Sequence, residues 1–223
     1  MLQRKGKIIL IYLFLLVLVG SINNIDLNKF KFPIITDIKV LGLSSENNLT
    51  LLQNIKNLNL GNIFHINSVE IQNIIDANNL VEKYTIIKRY PSSLYINIDK
   101  TKFLARINYN GKIFLVGSNG KLTHQNFFAN SLPFIDGNPD IKEFLKLKKI
   151  IDSSKFEYEN IKNIFFFPST RWDIELNNNM KIKLPQNNIA ESLESISNFL
   201  LIQKNKDIKL IDARITNQII TND

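Results

Sequence analysis

The sequence predicts an α+β protein: a membrane-directed segment, then a β-α-α-β-β module, then a mostly antiparallel β domain with flanking helices. Three observations lead to this prediction. An uninterrupted apolar run occupies Ile8 to Val19. Apolar residues then recur with strand and helix periodicities, in the order strand, helix, helix, strand, strand, as far as residue 100. From Thr101 onward, Asn-Gly turns separate short alternating segments, which is typical of β-hairpins.

Composition argues against several classes of function. The chain has 223 residues and a net charge of +8, but its Lys and Arg residues are scattered along the sequence. Nucleic-acid grooves use dense basic patches interleaved with aromatic residues, so we expect no nucleic-acid binding. The chain contains no cysteine, which excludes disulfides, thiolate metal ligands and a cysteine nucleophile.

The apolar run predicts a membrane anchor. Basic residues precede it (Arg4, Lys5 and Lys7), so the positive-inside rule places residues 1–7 in the cytoplasm and the bulk of the chain on the other side of the membrane. We expect residues 8–22 to form a single transmembrane helix and residues 23–31 to be a linker.

A cleaved signal peptide is the alternative for this segment. Residues 8–22 reach only ~22 Å as a helix, which is short of the ~30 Å hydrocarbon core. The exit region offers Gly20 and Ser21 but no Ala-x-Ala pattern before a cleavage point, which favours the uncleaved anchor.

Residues 32–100 are predicted to fold as one domain. Its first strand, Ile34–Leu41, ends at Gly42, and a helix capped within Ser44–Asn48 follows. The second helix has Asn67 as its N-cap and Glu70 three residues later, as in a capping box. Two further strands, Val81–Arg89 and a segment from Leu94 to Ile98, are joined by a turn that Pro91 fixes.

Residues 101–223 are predicted to form the β domain, and its clearest element is a hairpin from Arg171 to Pro185. With three Asn residues as the loop, Ile174 lies opposite Ile182 on an apolar face. The same register sets Asp173 opposite Lys183 on the other face, which is expected to be solvated. The other predicted elements are Phe103–Tyr109, Lys112–Val116, a helix capped at Asp140, Ile161–Phe167, a helix capped at Asn188, Ile208–Ile215 and the pair Ile219 and Ile220.

No catalytic signature is found in the sequence. His65 and His124 are isolated in different predicted domains, and Gly is too sparse for a phosphate-binding loop. Asp212 and Arg214 sit in an apolar strand and are interpreted as a structural ion pair in preference to a catalytic dyad. We therefore expect no catalytic residue, cofactor, metal or small-molecule substrate. Docking of partner proteins is the expected activity, and a terminal strand is a natural place to add a partner strand.

The order of these segments resembles that of the FtsQ/DivIB family of bacterial cell-division proteins across nearly the whole chain. In that family a short basic tail and one anchor helix precede a POTRA domain and a β domain. Local segments are also similar to those of the family, including Ile38–Gly42, the Arg171–Leu176 strand and Ile211–Arg214. The structural markers that carry the resemblance are Gly42, Arg89, Pro91, Leu94, Pro133, Gly137, Arg171, Trp172, Leu184, Pro185, Asp212 and Arg214.

The resemblance implies a non-enzymatic scaffold at the division septum, anchored by one helix in the bacterial inner membrane with its bulk in the periplasm. Such a protein joins early and late division proteins, binds FtsB-like and FtsL-like partners and regulates septal peptidoglycan synthesis. The POTRA-like domain would recruit other components of the division complex, and a segment of the FtsB-like partner would add as a strand along the end of the β domain. On this chain the implied contact residues are Ile215, Thr216, Asn217, Gln218, Ile219 and Ile220. The simpler alternative is that Ile219 and Ile220 only pack on their own sheet.

Two other functions compete with this interpretation. The β-α-α-β-β module is also found in outer-membrane assembly and secretion factors, but those proteins usually carry several modules and a membrane barrel, for which this chain has no room. An anchored periplasmic enzyme would need clustered titratable groups, and the sequence suggests none.

Overall fold

The computed structural model describes residues 2–22, 33–124, 131–202, 208–215 and 218–222, so the expected linker at 23–31 lies outside the described residues. Helix α1, Leu2–Ile22, covers the predicted membrane segment. Its side chains from Ile8 to Val19 are between 40% and 74% exposed. Within the described ranges, no helix combines the length and the apolarity needed to cross a membrane, so the expected transmembrane helix is not confirmed.

Residues 37–100 follow the predicted order of strand, helix, helix, strand, strand. The three strands form one sheet in the order β1-β3-β2, with β1 parallel and β2 antiparallel to the central β3. The two helices pack on this sheet and bury Leu51, Ile55, Ile71 and Ile75 against its apolar face. The elements are β1 Asp37–Leu41, α2 Ser45–Lys56, α3 Ser68–Ala77, β2 Val81–Arg89 and β3 Ser93–Lys100.

The predicted caps begin both helices. The Ser44 side chain accepts a hydrogen bond from the Asn47 N–H at the start of α2. Asn67 accepts from the Val69 N–H, and its side-chain amide donates to Glu70 Oε1 at 2.8 Å, so Glu70 contacts the side chain of the cap residue instead of its backbone N–H as in a capping box. The bonds from the N–H groups of Asn47 and Val69 satisfy donors that have no partner within the helix.

Strand β1 begins three residues later than predicted. The Ile35 N–H donates to the Gly61 carbonyl at 2.8 Å, and the Thr36 N–H donates to the Ser92 carbonyl at 3.0 Å. Ile34 forms an isolated antiparallel bridge with Asn62. The extended chain therefore pairs first with two loops and joins the sheet only at Asp37.

The remainder of the chain builds a nine-stranded sheet in the order β12-β11-β10-β9-β8-β7-β4-β5-β6. Five of its eight strand pairings are antiparallel, and β4–β7, β7–β8 and β10–β11 are parallel. The elements are β4 Phe103–Tyr109, β5 Lys112–Gly117, β6 Leu122–His124, β7 Phe134–Asp136, α4 Ile141–Asp152, β8 Ile161–Phe166, β9 Trp172–Leu176, β10 Lys181–Lys183, α5 Ile189–Ile202, β11 Leu210–Asp212 and β12 Ile220–Asn222.

One face of this sheet is covered by α4 and α5. Successive strands place an isoleucine at the same level, because the pairings align Ile135 with Ile164, Ile164 with Ile174, Ile174 with Ile182 and Ile182 with Ile211. Side chains alternate between the two faces of a strand, so this row of isoleucines lies on the helix side. From the helices, Phe144, Leu147, Ile151, Leu193 and Ile196 complete the same buried cluster.

The hairpin of β9 and β10 has the predicted register. Ile174 faces Ile182, Asp173 faces Lys183 and Glu175 faces Lys181. The loop closes with a hydrogen bond from the Leu176 N–H to the Met180 carbonyl at 2.9 Å, and Asn179 takes a left-handed φ of 64°. Asn tolerates this backbone region, which explains why the loop forms without a glycine.

A polar junction links the two sheets. Glu82 on β2 accepts hydrogen bonds from the hydroxyls of Ser118, at 2.7 Å, and Thr101, at 3.1 Å. The Asn119 amide donates to the carbonyls of Asn79 and Val81, at 2.9 Å each. These six residues belong to three separate stretches of chain, so the bonds tie the first module to the turn after β5.

Candidate partner-binding edge

Strand β12 is the outer strand at one end of the large sheet. It pairs antiparallel with β11, with Asp212 opposite Ile220 and Leu210 opposite Asn222. Among the described residues, no strand pairs with its other side. An open edge of this kind presents backbone N–H and C=O groups that an added strand can bind.

The hydrogen bonds of β11 determine which backbone groups of β12 point outward. The Lys209 carbonyl accepts from the Lys181 N–H, and the Ala213 N–H donates to the Lys183 carbonyl, so the backbone N–H and C=O groups of odd-numbered residues along β11 are directed to β10. The backbone groups of Leu210 and Asp212 are therefore directed to β12 and form its hydrogen-bonded pairs. Thr221 lies between those pairs, and its N–H and C=O are directed to the open edge.

The six residues expected to contact a partner lie just before and at the start of β12. Ile220 is the first residue of the strand and is 52% exposed, while Ile219 packs partly against the buried cluster of the β domain. Ile215 is exposed, and the Gln218 N–H donates to its carbonyl at 3.1 Å. Thr216 and Asn217 lie outside the described residues. The strand thus begins at Ile220, where the expected contact segment ends.

A groove of about 270 Å³ lies beside this segment. Its walls include Pro185 from the end of the hairpin, Ala213 from the end of β11, and Ile215 and Ile219. The other wall is the first turns of α5, including Ser192. The groove is partly apolar and can receive a side chain from a strand that adds along β12.

The sheet face opposite the helices carries a row of charged side chains that ends at the open edge. The strand pairings align Asp173, Lys183, Asp212 and Ile220 across four neighbouring strands. Charges therefore alternate in sign up to β12, where Ile220 is exposed. An added strand would meet this charged row along one of its faces.

Asp173 differs from the prediction of a solvated face, because only 9% of its surface is exposed. Burial raises the pKa of its carboxyl, and the nearby cations of Arg171, Lys183 and Arg214 act in the opposite direction. The Arg171 Nε is 3.2 Å from Asp173 Oδ1, and its guanidinium lies over the Phe167 ring at 4.4 Å. The contacts with Arg171 and the charges around it explain why a carboxylate is tolerated here.

Asp212 and Arg214 form the ion pair that the sequence indicated. The Arg214 Nε donates to both carboxylate oxygens, at 2.8 and 3.0 Å, and its backbone N–H donates to Oδ1 at 3.1 Å. These hydrogen bonds lower the pKa of the Asp212 carboxyl. The pair fixes the turn that follows β11 and thereby the direction in which the chain approaches the edge.

Two marker glycines stand where a side chain has no space. Gly42 has a φ of 114°, and a Cβ there would collide with the Ile98 carbonyl oxygen. Gly137 has a φ of 98°, and a Cβ there would collide with the Phe166 carbonyl oxygen. Both positions combine a backbone conformation that favours glycine with a close approach of a second strand.

The remaining markers are structural. Trp172, Leu184 and Leu94 are buried, and the Trp172 ring packs 4.6 Å from that of Phe166. The Pro133 carbonyl accepts from the Arg106 N–H at 2.9 Å. Arg89 lies over the Tyr95 ring at 4.4 Å, next to the turn in which a cis bond joins Tyr90 to Pro91. Pro185, another marker, lines the groove beside the open edge.

Sequence reasoning did not identify Thr221 as an edge residue or Asp173 as a buried charge. The short stretch from Ile219 to Thr221 is a weak strand signal. Only its pairing with β11 determines which backbone groups face the open edge. Within the described part of the chain, no group of three or more His, Cys, Asp or Glu residues is arranged to hold a metal ion.

The family model and the relatives that match this chain all name the same family. Residues 105–214 match a family model described as the C-terminal region of cell division protein FtsQ/DivIB. Cell division protein FtsQ of Rickettsia bellii is 26% identical over 160 residues, which are 70% of this chain and 60% of that relative. FtsQ of Rickettsia felis is 26% identical over 170 residues, 73% of this chain and 62% of the relative. The match thus spans about 60% of the length of these relatives.

More distant relatives carry the same name. FtsQ of Bradyrhizobium diazoefficiens is 22% identical over 161 residues, 67% of this chain and 45% of the relative. Among solved structures, the major extracytoplasmic domain of the division protein DivIB from Geobacillus stearothermophilus is 14% identical, with a TM-score of 0.34. It covers 48% of this chain and 98% of that structure.

Proposed function

Because this chain belongs to the FtsQ/DivIB family of cell-division proteins, we propose that it is a non-enzymatic scaffold of the division complex at the septum. It links early and late division proteins and regulates septal peptidoglycan synthesis by binding FtsB-like and FtsL-like partners. The observation that carries the proposal is that the matched region, residues 105–214, is followed a few residues later by β12, a strand whose outer side is unpaired among the described residues.

The FtsB-like partner adds a strand along β12 in this proposal, and residues 215–220 line its path. Support comes from the outward backbone groups of Thr221, the exposed Ile220 and the adjacent groove. Backbone hydrogen bonds would supply much of the affinity, while the groove and the charged row would select the partner's side chains.

We also propose that residues 8–22 anchor the protein in the inner membrane, with residues 1–7 in the cytoplasm and the bulk in the periplasm. Helix α1 is 21 residues long, which corresponds to about 31 Å. Exposed apolar side chains over most of that length favour an apolar environment.

The chain after the linker would comprise two domains. Residues 32–100 form a POTRA-like domain that recruits other division proteins, and residues 101–223 form the β domain. Two separate buried clusters, one under each sheet, support this boundary.

Depletion of the protein tests the function. We expect depleted cells to grow as filaments, because septal synthesis lacks its regulator, and we expect a fluorescent fusion to concentrate at midcell. Normal division after depletion, with fluorescence spread evenly over the envelope, would contradict the proposal.

A further inference from the structure

The first module has one end at which its connecting loops meet, and we name it the linker-side end, residues 33–36, 56–65 and 87–93. Hydrogen bonds from Ile35 to Gly61 and from Thr36 to Ser92 join the three segments. The rings of Phe64 and Tyr90 are 5.1 Å apart and connect the second segment to the third. These contacts make the end one continuous surface.

This surface is unusually apolar for loops. Ile34 is 66% exposed, Phe64 51% and Tyr90 63%. Each of the three segments contributes one of these side chains, and the rings of Phe64 and Tyr90 are in contact. Aromatic residues with an apolar body and a polar tip, such as Tyr90, are typical of the boundary between lipid and water.

The charged residues within the three segments are all basic. They are Lys56, Lys88 and Arg89, while Asp37, which directly follows the first segment, pairs with Lys39 at 3.8 Å. Lys56 lines a groove together with Ile34, so basic and apolar side chains are neighbours there. Basic residues beside exposed aromatic rings suit an anionic lipid surface, which attracts Lys and Arg at its headgroups.

The chain path places this end near the proposed anchor. Ten residues separate Ile22, the last residue of α1, from Pro33, the first described residue of the linker-side end. An extended stretch of that length spans at most about 40 Å, so the surface is tethered close to the membrane if α1 is embedded there. The tether greatly raises the local concentration of lipid headgroups.

We propose that the linker-side end lies on the anionic membrane surface. Phe64 and Tyr90 sit at headgroup depth, and the cations of Lys56, Lys88 and Arg89 face lipid phosphates. This inference rests on the proposed anchoring by α1. Contact with lipid would orient the first module relative to the bilayer and so determine where the β12 edge is presented.

Spin labels on the full chain test the contact, because the absence of native cysteine allows single-site labelling. The labelled variants are Tyr90→Cys and Phe64→Cys, reconstituted in vesicles of phosphatidylcholine with phosphatidylglycerol. Tyr109→Cys is the matched control, since Tyr109 is also an exposed aromatic residue but lies at the β4–β5 turn. Collision rates with oxygen and with a water-soluble nickel chelate report the depth of each label.

We expect labels at positions 90 and 64 to be shielded from the nickel chelate and accessible to oxygen, while the label at position 109 behaves as in water. Adding Lys56→Glu and Lys88→Glu to the Tyr90→Cys chain should reduce the lipid-contacting population by roughly fivefold per charge removed. Pure phosphatidylcholine should reduce it as well. Circular dichroism spectra that match the parent chain would exclude misfolding of the variants.

Three outcomes would overturn the inference. Aqueous labels at positions 90 and 64, in protein that resists alkaline extraction, would contradict the surface contact and leave the anchor in place. Dipolar coupling between labels at position 90, without lipid accessibility, would identify a second copy of the chain as the occupant. Release of the protein by alkali would contradict the anchor itself and the contact that depends on it.

Discussion

At the scale of single residues, Gly137 determines how closely two strands approach. It follows β7, has a φ of 98° and leaves no space for a Cβ beside the Phe166 carbonyl on the neighbouring β8. Gly111 offers a comparison, because its φ of 77° is also left-handed but a Cβ there would have no atom within 4 Å. Substitution at Gly111 therefore measures the cost of backbone strain alone, whereas substitution at Gly137 adds a steric collision.

We therefore expect Gly137→Ala to destabilise the protein more than Gly111→Ala. The latter should lower the free energy of unfolding by about 1 kcal/mol, the typical cost of a left-handed backbone for alanine. Gly137→Ala must in addition displace β7 from β8, and we expect a loss above about 2 kcal/mol. Urea unfolding of the two variants measures the difference, and equal losses would contradict the assigned role of Gly137.

Asp173 illustrates what sequence could not predict at this scale. Its alternation in the strand correctly placed it on the face opposite Ile174 and directly across from Lys183. Its negative charge is compensated by Arg171 beside it and by Arg214, which follows β11 about forty residues later in the chain. A pattern within one hairpin carries no information about such a neighbour.

At the scale of elements, local structure was predictable and long-range pairing was not. The hairpin of β9 and β10 follows from alternation and from a short Asn loop, both of which are local in the sequence. Strand β12 has only three residues, and its position follows from β11, which itself pairs parallel with β10 after the crossover through α5. The expected contact segment at residues 215–220 therefore overlaps the strand only at Ile220.

The proposed edge can be tested by removing one outward backbone donor. Thr221→Pro eliminates an N–H directed to the open edge, and Ile219→Pro removes the next outward N–H if the alternation continues. We expect either variant to weaken capture of an FtsB-like partner by tenfold or more, as the loss of about 1.5 kcal/mol implies. Capture is measured by pull-down from detergent-solubilised membranes.

Thr221→Ala is the matched control for this edge experiment, because it shortens the same side chain and keeps the backbone N–H. It should capture the partner almost as well as the parent chain. Unchanged capture by Thr221→Pro, in protein with a parental circular dichroism spectrum, would place the contact elsewhere on the molecule.

At the scale of the whole molecule, the polar junction determines whether the two sheets behave as one body. Glu82 and Asn119 together make four hydrogen bonds across it. Lys121 adds a bond from its ammonium group to the Asn78 carbonyl, just after the end of α3, at 3.3 Å. No sequence pattern indicated these contacts. Glu82 belongs to a strand pattern and Asn119 to a turn pattern, and neither local pattern predicts that the two segments meet.

The double variant Glu82→Ala and Asn119→Ala should uncouple the two sheets. Each hydrogen bond contributes about 1 kcal/mol, so the loss of four is comparable to the total stability of a small module. We expect the parent chain to show one cooperative loss of hydrogen-exchange protection in urea, and the variant to show two, with β1–β3 opening at lower urea than β8–β11.

Glu194→Ala, which removes an exposed carboxylate on α5, is the control and should keep a single transition. A single transition in the double variant would mean that the buried clusters are coupled without the junction, and the first module would then not be held by Glu82 and Asn119.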